Sequence, residues 1–103
     1  MDKKPENQIN IELSEEVASG IYSNLAIITH SNAEFICDFV QMLPGMPKAQ
    51  VKSRIIMTPV NAKRLMKALI ENVQKYEQNI GIINENDAQG MPPMNFGTPT
   101  TQA

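Results

Sequence analysis

The sequence predicts an α+β fold: a four-stranded antiparallel β-meander followed by one long amphipathic C-terminal helix, assembled as a homodimer. Three observations predict it. Apolar stretches with strand alternation recur up to Met57, separated by turn residues. From Thr58 onward the apolar residues switch to helical spacing. The middle strands are apolar on both faces, and a single helix covers only one face of a sheet.

Residues 1–7 are polar and include Pro5, which reads as a disordered lead. The first strand is Ile9 to Leu13, whose I-N-I-E-L alternation marks a half-buried strand. Ser14 to Gly20 is a connection with a short helical turn at Glu15 to Ala18. Ile21 to His30 is the second strand, rich in β-branched residues. Ser31-Asn32-Ala33 is a turn, because Ser and Asn side chains substitute for backbone partners. Glu34 to Leu43 is the third strand, broken by Pro44-Gly45-Met46-Pro47, and Gln50 to Met57 is the fourth.

Thr58 suits an N-cap, and Pro59 suits the first helical position, where its missing N–H is not needed. Ala62, Leu65, Met66, Leu69, Ile70, Val73 and Tyr76 then form one apolar stripe, with Lys63, Arg64, Lys67, Glu71 and Lys75 on the other side. Gly81 is the expected terminator. The ordered domain is residues 8–83. Residues 84–103 are Asn, Gln, Pro, Gly, Thr and Met with no charge after Asp87, a composition expected of a disordered tail.

A hairpin loop pairing Leu25 with Phe39 sets Ile27 against Cys37. The odd residues of the strands, Phe35, Cys37 and Phe39 among them, then face the helix. The even set, with Tyr22, Asn24, His30, Glu34 and Asp38, becomes the mixed outer or interface side. A one-residue shift would exchange these assignments in one strand. The second face needs a cover, and a second copy of the chain is the simplest one; the alternative is a terminal segment folded back over it.

Composition narrows the function classes. The chain of 103 residues carries a net charge of -2, which argues against a general nucleic-acid coat. One cysteine, Cys37, excludes an internal disulfide framework and points to a reducing cytoplasm. No stretch reaches the roughly 20 apolar residues of a membrane span. The opening MDKKPENQ has no apolar segment behind its lysines, so it does not read as a secretory signal.

Within this acidic chain, no acidic residue stands between Asp38 and Glu71, and six of the nine Lys and Arg fall in that gap. They are Lys48, Lys52, Arg54, Lys63, Arg64 and Lys67, where the last strand runs into the helix. Lys52 and Arg54 share a strand face, and Lys63 and Lys67 are one helical turn apart with Arg64 beside them. Such a strand-helix unit suits phosphate or carboxylate groups. Aromatic residues for stacking single-stranded nucleic acid are not interleaved with it. Ribbon-helix-helix repressors pair a basic strand with two helices, and only one helix is expected here. The plain structural reading is a solvated helix face and a charged edge strand that discourages aggregation.

Catalytic chemistry is weakly supported. His30 and Glu34 flank a turn and could exchange a proton, but no electrophilic partner is in view. Cys37 with His30 could form a nucleophile-base pair, yet Cys37 lies between Phe35 and Phe39 on one strand face, the place of a small core hydrophobe. One His and one Cys cannot supply an ordinary zinc set, and there is no glycine-rich phosphate loop. No cofactor is expected.

The run from Ile21 to Ser31, Glu34-Phe35, Asp38-Phe39, Pro44-Gly45, Val51 to Pro59, Ala62 to Leu65 and Lys75-Tyr76-Glu77 resembles a small bacterial family known as domain of unknown function 3467. The resemblance covers about residues 9–83 and transfers no activity, because the family has none established. Its association with neighbouring RNA polymerase genes implies an accessory role in transcription. The expected function is therefore a non-enzymatic cytoplasmic interaction module whose cationic surface, Lys48, Lys52, Arg54, Lys63, Arg64 and Lys67, meets an acidic protein. Direct DNA or RNA binding by the same surface is the alternative. A small enzyme using His30, Cys37 or Asp38 is the remote third reading.

Overall fold

Alternating apolar residues form three strands, and they pair in sequence order because short loops join them. The computed structural model describes residues 8–45, 48–85 and 99. Its elements are α1 (Glu15–Ala18), β1 (Leu25–His30), β2 (Phe35–Gln41), β3 (Gln50–Met57) and α2 (Pro59–Asn79). The sheet is antiparallel in the order β1-β2-β3. The expected disordered lead lies outside the described residues, as does most of the expected tail.

The sheet has three strands, not four. Residues 9–13 have the strand alternation but belong to no strand of the sheet, and Ile9, Ile11 and Leu13 are 81%, 92% and 71% exposed. The segment ends where Ser14 caps the short α1 by accepting from the Val17 N–H. β1 also begins later than expected. Ser23 Oγ donates to the carbonyls of Leu25 and Val40 at 2.9 and 3.1 Å. Asn24 then pairs with the Met42 backbone through its side chain, donating to the carbonyl and accepting from the N–H, each at 2.8 Å. Side chains thus substitute for ladder bonds and the strand proper starts at Leu25.

The β1-β2 register differs by one residue from the expected one. Leu25 pairs with Val40 and Ile27 with Asp38. The cause is the hairpin loop. Ser31 Oγ accepts from the N–H groups of Ala33 and Glu34, and the Ser31 N–H donates to the Glu34 carbonyl. That arrangement uses four residues, so His30 meets Phe35. β1 therefore turns its even residues, Ala26, Ile28 and His30, to the face bearing Phe35, Cys37 and Phe39. On β3 the same face carries Ser53, Ile55 and Met57. A bulge skips Lys52 and pairs Val51 with Val40, which moves Val51 to the opposite face.

α2 starts as its sequence dictates. Thr58 Oγ1 accepts from the Asn61 N–H at 3.2 Å, and Pro59 occupies the first turn. At the other end the N–H groups of Ile80 and Gly81 both donate to the Tyr76 carbonyl, and Gly81 has φ 153°, a conformation other residues rarely adopt. The helix nevertheless buries none of its 21 residues. It stands off the sheet rather than lying on it, so the expected helix-covered face is open. Among the described residues the buried apolar side chains are Cys37, Val40 and Met57.

Candidate functional site

The basic block does not form one surface. Arg54 lies on the sheet face opposite the helix, in register with Asp38. Lys52 is the residue skipped by the bulge, and its Nζ donates to Gln50 Oε1 at 3.5 Å. Lys48 is exposed in the loop before β3. Lys63 sits on the helix at the border of the space between helix and sheet. Arg64 and Lys67 are exposed on the polar side of α2. Lys52, expected to share a strand face with Arg54, lies at the bulge and has no partner residue on β2.

Arg54 is committed within the fold. Its Nε donates to Asp38 Oδ1 at 2.6 Å and its Nη2 to Oδ2 at 3.0 Å, a two-pronged pair. The Asp38 side chain is fully buried and that of Arg54 is 46% exposed. The hydrogen bonds that Arg54 donates to Asp38, reinforced by the carboxylate charge, raise the Arg54 guanidinium above its ordinary value. Asp38 lies on the face away from the helix, the one expected for it, and there it is the most deeply buried polar residue of the described chain. This makes Arg54 a structural cation first and a candidate partner contact second.

Facing α2, the sheet forms the wall of an open apolar cleft of about 690 Å³. Ile28, Phe35, Cys37 and Met57 line the sheet side, and Ala62, Met66, Leu69 and Ile70 the helix side. Ile28 is 61% exposed. A second space of about 410 Å³ separates α1 from Phe39, Ser53 and Ile55 on the same sheet face. Both are apolar and open to water, the condition expected of surfaces that meet another protein.

The residues weighed for catalysis are placed otherwise. His30 stacks on Phe35, ring centroids 5.3 Å apart at 25°. Cys37 is buried on the helix-facing side of β2, between Phe35 and Phe39 in the alternation. Asp38 lies on the opposite face and spends both carboxylate oxygens on Arg54. Among the described residues no three His, Cys, Asp or Glu side chains gather as a metal site, and no helix is long and apolar enough to cross a membrane.

A family model described as a protein of unknown function (DUF3467) matches residues 1–85. The chain belongs to the DUF3467 family. The match spans the 9–13 segment, the sheet and α2, with every residue of the basic block. Comparisons with curated proteins and with solved structures find no match to this DUF3467 chain.

The feature that sequence reading missed is the Asp38–Arg54 pair. A signal for it was present: both residues take even positions in neighbouring strands, so antiparallel pairing with an even register sum places them on one face.

Proposed function

We propose that the protein is a non-enzymatic interaction module that works as a homodimer and presents a cationic helix face to an acidic partner. The supporting observation is the unused apolar stripe of α2. A helix of 21 residues with none buried gains little from packing, and packing is the main source of helix stability in proteins. A second copy laid across the cleft would bury that stripe together with Ile28 and Phe35.

The polar side of α2 then remains outward with Arg64 and Lys67, flanked by Lys63. These three, with Lys48 and Lys52, are the cations of the basic block available to a partner; Arg54 serves Asp38. A partner with clustered carboxylates fits this face, and the gene association of the family makes the transcription machinery a reasonable source, in the cytoplasm.

The test replaces Lys48, Lys52, Lys63, Arg64 and Lys67 by Gln and compares capture of partners from native extract, identified by mass spectrometry. An acidic protein captured by the native chain and lost by the variant, with an unchanged circular dichroism spectrum, is the expected result. Identical capture by both would remove the cationic-face reading. Binding of random-sequence DNA or RNA tighter than about 10⁻⁴ M at physiological salt would favour nucleic acid instead.

A further inference from the structure

We infer that residues 9–13 of one copy add as a fourth strand to the free edge of β3 in a second copy, with Glu12 beside Arg54. This rests on the dimer reading above and names the surface through which the two copies exchange.

The segment carries a strand pattern yet belongs to no strand among the described residues. Its Ile9, Ile11 and Leu13 are among the most exposed apolar residues of the described chain. Among the described residues β3 is an outer strand whose far edge pairs with no other strand, a template for an incoming extended segment.

The side-chain alternation fits that edge. In a strand, Ile9, Ile11 and Leu13 point one way, and Asn10 and Glu12 the other. On β3, Ile55 and Met57 face the apolar cleft, and Arg54 faces away from it. An antiparallel register with Glu12 opposite Arg54 puts Ile11 against Ile55 and Ile9 against Met57. Ile55 is 45% exposed and gains cover.

Charge selects the same edge. Residues 8–24 hold Glu12, Glu15 and Glu16 and no Lys, Arg or His, whereas β3 holds Lys52 and Arg54 and no acid. A guanidinium has five N–H donors. Asp38 takes one from Nε and one from Nη2, and nearly half of the Arg54 side chain remains exposed to meet a second carboxylate. β1, the other edge, carries no Lys or Arg. Reciprocal exchange about a two-fold axis satisfies both copies alike.

The test co-expresses two full-length chains with tags of different length, one bearing Ile11→Cys and the other Ile55→Cys, and treats the purified protein with a short bis-maleimide. A control pair joins Ile11→Cys with Ile28→Cys, on the same face at the β1 edge. Unsubstituted chains report background from the buried Cys37. The expected result is a cross-linked product between the two tagged chains, at least tenfold above the control pair. Sedimentation mass is measured on the same samples. A dimer mass without the 11–55 product, or with equal product at position 28, overturns the strand exchange alone. A one-chain mass overturns the exchange and the dimer together. A single chain carrying both changes that cross-links to itself in excess native chain also overturns the exchange.

Discussion

Asp38 and Arg54 show how one pair divides its labour unequally. The carboxylate is fully buried and the guanidinium is half in water. Removing Arg54 strands a buried charge, whereas removing the carboxylate frees a cation that water can still reach. Arg54→Met is therefore expected to lower the urea midpoint clearly more than Asp38→Asn does; the reverse order would contradict the assignment. Because the guanidinium pKa is raised on folding, the stability Arg54 contributes is fully present below its unfolded value and is lost only as pH rises through the folded one. No titration of Arg54 is then expected to change stability around neutrality. Met57, 9% exposed at the foot of the cleft, belongs to the small described core. Met57→Ala should cost about 2 kcal/mol in chemical denaturation, the low end for a buried methionine.

At the scale of elements, the features written locally were legible and those set by distant partners were not. Thr58-Pro59, Gly81 and the turn at Glu15–Ala18 each depend on residues within one helical turn, and the structure forms them where the pattern placed them. Thr58→Ala should cost about 1 kcal/mol, the usual worth of an N-cap, measured by thermal unfolding. The strand count and register were less accessible. Pairing depends on how many residues the 31–34 loop consumes, and a Ser31 hydroxyl taking two N–H groups decides that. The bulge at Lys52 likewise has no sequence mark such as glycine. The position of α2 depends on what it packs against, and an amphipathic pattern does not say whether that surface belongs to the same chain. Leu69→Lys, in the middle of the stripe, should leave the sheet formed while weakening association at least tenfold in a dilution series. Unchanged association would show that the stripe is not an interface.

For the whole molecule, the distribution of charge and apolar surface carries the reading. The chain is mildly acidic, yet six of its nine Lys and Arg are gathered from Lys48 to Lys67, and the charged residues of its 8–24 stretch are all acidic. The apolar residues are as unevenly used: three lie buried among the described residues, while the 9–13 segment, the cleft and α2 stay open. A solitary chain with these surfaces would leave its long helix without tertiary support, and the proposed dimer supplies that support. If folding and association are one event, stability must depend on protein concentration. Sedimentation equilibrium of the full-length chain tests this most directly. The proposed dimer predicts twice the 11.5 kDa chain mass at micromolar concentration, with an unfolding midpoint that rises as protein is added. A single-chain mass with a midpoint independent of concentration would contradict it.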